Sequence, residues 1–294
     1  MSSADLALGH SSRPEAVGRP LHYRGTLARQ YVNELALVFR RKRNIAMLLI
    51  LAVVPILIGT AVKLSSPRPG QGPPLIGQLT DNGLFLAFAA LTICLPVFLP
   101  LAVAVVAGDS IAGEANIGTL RYLLTVPVSR TRMLIVKSLG ALTYALACIL
   151  LVTVVGMVFG VAIFGSHGVT LLSGDTVSFG NGLARAAGVA AYVFVDLLGL
   201  AAIALFFSTL TEVPVGAMAA TVVVAIIFAV LDSVPQLGGF RSLLLTHHWL
   251  DYDELLRSTI SARTLLHGMF VPACYAAIFG TLAWARTSNA DVTA

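Results

Sequence analysis

The chain has 294 residues, of which 57% are hydrophobic and only 11% charged, and its mean hydropathy is +0.88. A soluble domain is about 45–50% apolar and about 25% charged, so 14 acids and 19 bases cannot furnish the polar shell of a water-soluble body this size. Disorder is excluded by the same figures, because disordered chains are poor in apolar residues and rich in charge; what remains is an integral membrane protein, all-α and polytopic.

The net charge is +5, and 8 of the 19 basic residues precede residue 45, crowded against the first apolar run. In a membrane protein that clustering marks the cytoplasmic side and anionic lipid headgroups rather than a nucleic-acid partner. Residues 1–25 show no apolar period and read as a disordered cytoplasmic tail, without a cleavable secretory signal. From 26 to 43, Leu27, Tyr31, Leu35, Leu37, Val38 and Phe39 recur at roughly helical spacing before Arg40, Arg41, Lys42 and Arg43. This pattern predicts an amphipathic helix on the inner membrane surface, its basic end at the headgroups.

A spanning helix needs about 20 apolar residues. Six segments of a transmembrane domain at 44–286 qualify, at about 45–62, 83–107, 138–164, 182–208, 215–231 and 263–284. The second contains Pro96 and Pro100, which predict a kink or break. Between the spans lie a Pro/Gly-rich loop (63–82), a polar stretch (108–137), a Gly/Ser loop (165–181), a tight turn at Thr211, Glu212 and Pro214, and an outer or re-entrant segment (232–262). A cytoplasmic tail follows at 287–294. Placing the amino terminus inside puts 13 Lys and Arg on the inner side and 6 on the outer, which predicts cytoplasmic termini in a multi-pass plasma (inner) membrane protein.

The three cysteines, Cys94, Cys148 and Cys274, fall in apolar runs without metal-like spacing and read as small membrane-facing hydrophobes. No phosphate-binding Gly-Lys-Ser/Thr, HExxH or GxSxG motif occurs, so neither ATP hydrolysis nor a peptidase or esterase site is expected of this chain.

The informative stretch is 108–137, GDSIAGEANIGTLRYLLTVPVSRTRMLIVK. It interleaves charge (Asp109, Glu114, Arg121, Arg130, Arg132, Lys137) with apolar positions (Leu120, Leu123, Leu124, Val126, Val128). A short helix at 118–124, halted by Pro127, and a turn at Val128 and Ser129 would precede the third span. Apolar residues on such an inner segment favour docking of a cytoplasmic partner over a solvated loop.

The run Glu114-Ala-Asn-Ile-Gly118-Thr119-Leu120, then Leu123-Leu124, Pro127-Val128-Ser129-Arg130 and finally Lys137 resembles the permease subunits of type-2 ABC transporters. The resemblance extends over most of 26–291, with Ala115 and Asn116 standing where the family often carries charge. It implies that two permease chains, as a homodimer or with a sibling chain, form the core of an exporter above two cytoplasmic ABC ATPase subunits. It further implies that ATP and Mg are bound by those partners, with no cofactor in this chain, and that Glu114, Gly118, Thr119, Leu120, Pro127, Val128 and Arg130 couple ATP-driven closure to the spans. The permease would then not itself be an enzyme.

Asp196 lies midway in the fourth apolar run, where an ionisable group is costly and marks a translocation-path or interhelical polar residue. Of these, an interhelical hydrogen bond is the preferred reading. Arg185 shares its helix face about 16 Å away and is expected to snorkel to the outer interface. His247 and His248 with Asp251, Asp253 and Glu254 invite a metal reading, yet adjacent histidines point differently on a helix. No metal site is assigned, and Trp249 and Tyr252 are expected at headgroup level of an outer interfacial helix. Gly156 and Gly160 form a GxxxG that permits close helix approach. Two alternatives to the permease remain: a membrane-embedded enzyme using Asp196, His267 or His247 and His248, and a secondary transporter using Asp196. An enzyme would gather catalytic groups at one depth and a secondary transporter would show paired broken helices; neither pattern is visible.

Overall fold

A computed structural model describes residues 26–65, 83–116, 130–165, 169–170 and 175–289. Its elements in chain order are α1 (Thr26–Arg40), α2 (Lys42–Ser65), α3 (Phe85–Cys94), α4 (Phe98–Asn116), α5 (Arg130–Phe164), β1 (Val169–Thr170), β2 (Thr176–Val177), α6 (Phe179–Leu210), α7 (Pro214–Asp232) and α8 (Ala262–Asn289). Three short 3₁₀ helices, Pro235–Leu243, Leu245–His248 and Asp251–Leu256, connect α7 to α8. Among the described residues six helices are long and apolar enough to cross a membrane: α2, α4, α5, α6, α7 and α8. The protein is thus a multi-pass helical membrane protein. Its two strands are a two-residue antiparallel pairing, Val169 opposite Val177.

The second predicted span is two helices. α3 ends at Cys94, and a turn over 95–97 leads into α4. Pro96 lies in that turn and Pro100 in the first turn of α4, where a missing amide costs nothing. Only α4 is long enough to cross, and it runs on through the polar Gly108-Asp109-Ser110 to Asn116. α5 likewise begins at Arg130, eight residues before its apolar run. The polar stretch 108–137 is therefore helical at both ends, with α4 running past the expected end of the second span at 107 and α5 opening directly after the expected turn at Val128 and Ser129; 117–129, where the short helix at 118–124 is expected, lies outside the described residues. The interfacial segment 26–43 also divides, because the chain breaks at Arg41 and Lys42 already opens α2.

α6 is the hub, packed against α3, α4, α5, α7 and α8. Its inward positions, among them Val189, Val193, Leu197, Leu200 and Ala204, are fully buried. α2, α7 and α8 instead turn rows of large apolar side chains outward, such as Leu49, Val53 and Leu57 on α2 and Leu266, Phe270 and Ile278 on α8, as lipid-facing helices do. α3 is buried along nearly its whole length and lies against α5. There the GxxxG acts: a Cβ at Gly156 would sit 2.7 Å from the Ala87 Cα, and one at Gly160 would run into the Gly83 carbonyl. Cys94 and Cys148 are fully buried, so they face the core rather than the membrane.

Candidate functional site: a charged junction below the bundle

Asn44, fully buried in the first turn of α2, donates from Nδ2 to the carbonyl of Val38 at 2.8 Å, and its own carbonyl accepts from Tyr144 Oη of α5 at 2.8 Å. One residue, by its side chain to Val38 and its backbone carbonyl to Tyr144, thereby ties the end of α1, the start of α2 and α5 into an elbow. α1 turns Tyr31, Glu34, Leu35, Val38 and Phe39 toward α5, and Tyr31 Oη meets Thr143 Oγ1 at 2.6 Å. Gly140 lets α1 close in, since a Cβ there would lie 2.9 Å from Glu34 Cγ. Leu27 and Leu37 point away from this contact and are exposed, so the inward face of α1 is mixed rather than purely apolar.

Two ion clusters occupy the junction. Lys137, almost completely buried, places Nζ 3.1 Å from both carboxylate oxygens of Glu34 and against Glu114 Oε1. Asp109 Oδ2 is gripped by Arg41 and Arg43, the latter at 2.9 Å. Together they join α1 (Glu34), the α1–α2 break (Arg41), α2 (Arg43), the end of α4 (Asp109, Glu114) and the start of α5 (Lys137). Buried charge is tolerable only when paired and hydrogen-bonded, so this set ties four helices together at one end of the bundle. Ser208 Oγ of α6 adds a fifth, accepting from the amides of Ile111 and Ala112 at 3.0 and 2.9 Å.

Of the residues singled out in sequence, Glu114 stands in this cluster and Arg130 opens α5. Arg130 Nη1 donates to the carbonyls of Thr287 and Ser288 at 3.4 and 3.1 Å, a cation at the carbonyl end of α8. Beside it, Trp284 Nε1 donates to Thr131 Oγ1 at 3.0 Å. Gly118, Thr119, Leu120, Pro127 and Val128 lie outside the described residues. Of the four interfacial cations, Arg41 and Arg43 serve Asp109, whereas Arg40 and Lys42 are exposed. Glu34, Asn44 and Asp109 were missed as site residues. Glu34 stands at steps of four from Gln30 and Val38 and so shares their helix face, but the sequence does not show which partner that face meets.

The opposite end carries a polar cap. Asp232 Oδ1 meets His247 Nδ1 at 2.6 Å and Arg241 Nε at 3.2 Å, and Asp251 Oδ2 meets His248 Nδ1 at 2.7 Å. His248 Nε2 faces the Ser242 carbonyl at 3.0 Å. The two histidines serve different carboxylates, and among the described residues no three His, Cys, Asp or Glu side chains converge on one ion position. Trp249 and Tyr252 are buried, not at a headgroup surface, and Tyr252 Oη meets Thr92 Oγ1 of α3 at 2.5 Å. Arg185 donates to the Leu255 carbonyl, to the Arg257 carbonyl at 2.8 Å and to Asn181 Oδ1 at 2.9 Å, fastening the cap to α6. Asp196 is fully buried, and neither carboxylate oxygen has a hydrogen-bond partner. The expected interhelical bond is therefore not made, although Asp251 and Tyr192 lie within range of its charge.

Residues 75–293, most of the chain, match the model of a family described as "Protein of unknown function (DUF2705)". A comparison with curated proteins finds no match.

Proposed function

We propose that this chain, which belongs to the DUF2705 family, is the permease subunit of an ATP-driven exporter, taking its energy from separate cytoplasmic ABC ATPase subunits. The observation that carries this reading is the Lys137 cluster. Its three members sit on α1, on the last turn of α4 and near the start of α5, the helices that precede and flank the segment 117–129. A partner pressing on that segment or on α1 would move α4 and α5 as levers, because the ion pairs leave those ends little freedom to slide. Coupling needs such an element, whose two positions a partner binds with different affinity.

In this reading the termini and the charged junction are cytoplasmic, α1 rests on the inner surface of the plasma membrane, and a second permease chain completes the path. ATP and Mg reside in the partners, and Glu114, Arg130 and the 117–129 segment transmit the stroke. The resemblance of Glu114 to Lys137 to type-2 ABC permeases supports the same assignment.

The test is co-expression with a candidate Walker-motif ATPase, purification in lipid, and assay of ATP turnover and export. An ATPase should co-purify, and Glu114→Lys or Arg130→Glu should uncouple turnover from transport. If no ATPase co-purifies and both charge reversals leave transport intact, the reading fails. One observation favours a second reading, a carrier that moves an ion with its cargo: the unpartnered Asp196. Asp196→Asn separates the two, since it abolishes ion-coupled transport but spares ATP-driven export.

A further inference from the structure

We infer that the open cleft framed by α2, α4 and α7 at the charged junction binds a phosphate-bearing anion, supplied by the headgroup of an anionic membrane lipid. The cleft measures about 410 Å³ and is lined by Arg41, Lys42, Arg43, Asp109, Asn116 and Pro214. That volume falls within the range of about 300–1,000 Å³ typical of small-molecule pockets. Three cations against one carboxylate leave it two positive charges in excess.

Its walls are built rather than incidental. Arg43 is held by Asp109 at 2.9 Å and reaches Met218 Sδ of α7 at 3.9 Å. Asp109 is buried, while Arg41 and Arg43 remain about 40% exposed after pairing with it. A guanidinium has five donors, and one carboxylate oxygen leaves most of them free. Lys42 is exposed and makes no ion pair with a described residue. It also opens α2, in whose first turn the Asn44 and Ile45 amides are taken by the Arg41 carbonyl, so the attraction for an anion rests on the three cationic side chains.

The surroundings identify the source of the phosphate. One turn into α2 the side chains become apolar and outward-facing: Ile45, Leu49, Ile50 and Val53 are all exposed. An anion in the cleft thus has a hydrocarbon-facing strip directly beside it. That arrangement fits an amphiphile whose phosphodiester lies among the cations and whose chains run along α2. The site requires only that α2 crosses the bilayer, so it stands whether or not an ATPase partner is found.

The experiment is native mass spectrometry of the full chain in detergent, titrated separately with phosphatidylglycerol, phosphatidylcholine and inorganic phosphate. One phosphatidylglycerol per chain should bind saturably and at least about tenfold more tightly than phosphatidylcholine, two excess cations contributing about fivefold each or more. Lys42→Gln removes one unpaired charge at an exposed position and should lower that affinity about fivefold. Arg29→Gln, an equal loss of charge on the exposed face of α1, should leave it unchanged. Asp109→Asn should raise it. Equal binding of the two lipids, or equal losses in Lys42→Gln and Arg29→Gln, would overturn the site. Saturable binding of inorganic phosphate with the Lys42 dependence, and none of phosphatidylglycerol, would overturn the lipid as its occupant.

Discussion

Lys137 holds its ammonium group between two carboxylates with almost no access to solvent, so its substitution has a sign that follows from burial. Lys137→Met would leave Glu34 and Glu114 facing each other without a counter-charge, and breaking a buried pair from one side costs about 3–5 kcal/mol. Removing all three charges together, as Lys137→Met with Glu34→Gln and Glu114→Gln, should recover much of that loss. Thermal unfolding in detergent measures both, and a single variant within about 1 kcal/mol of the parent would sink the argument. His248 carries the second prediction at this scale. Both ring nitrogens face acceptors, Asp251 Oδ2 and the Ser242 carbonyl, so both hydrogen bonds form together only in the imidazolium form. The hydrogen bond to Asp251 raises its pKa above the ordinary 6.5 against the opposing effect of burial. The groups around it are Asp251, Asp232 with His247 and Arg241, His267 from α8, and Tyr192 from α6. A raised histidine stabilises the cap fully below pH 6.5 and loses that contribution as pH climbs through the folded value. Emission of the neighbouring Trp249, read in a Trp284→Phe background, should therefore shift on the alkaline side of 6.5. The shift should vanish in Asp251→Asn, and a shift that persisted there would assign the transition to another group. Glu114 and Lys137 stood out in sequence because they share one stretch. Glu34 did not, because its partner is 103 residues away and an isolated acid on an amphipathic helix looks like a solvated position.

At the scale of elements, hydropathy located the six crossing helices but not their ends. It reports where apolar side chains stop, whereas the helical backbone continues through polar residues of the junction, as far as Asn116 in α4 and from Arg130 in α5. The proline break was legible because Pro acts locally, through its missing amide and its fixed φ. GxxxG was ambiguous for the opposite reason, since its effect depends on what lies across from it. The structure supplies that answer, and a contrast between two glycines tests it. Gly160 meets the Gly83 carbonyl, while a Cβ at Gly280 in α8 meets nothing within 4 Å. Gly160→Ala should cost the upper end of the roughly 1–3 kcal/mol of overpacking, because backbone cannot yield as a side chain can. Gly280→Ala should be neutral or stabilising, by up to about 1 kcal/mol of helix propensity. Equal melting temperatures for the two variants would show that α3 and α5 are not so closely apposed.

For the molecule as a whole, α6 sets the distance between its two polar regions. Arg185 near its start holds the cap, and Ser208 near its end holds α4 at the charged junction. Twenty-three residues separate them, roughly 35 Å of helix, against a hydrocarbon thickness of about 30 Å. One long helix therefore spaces the two polar ends by about a bilayer, with Asp196 the one charged side chain between them. The exporter proposed above would have to loosen its two ends at different moments, which requires that each end be held by contacts of its own. Arg185→Ala tests that independence. It removes hydrogen bonds from a charged donor, worth about 1.5–3 kcal/mol each, and so should speed amide exchange over 245–257 about tenfold or more. Exchange over 31–45, fastened by Asn44 and the Lys137 cluster, should stay as in the parent. If both regions exchanged faster together, the bundle would open as one unit, and the junction could not move while the cap stayed shut.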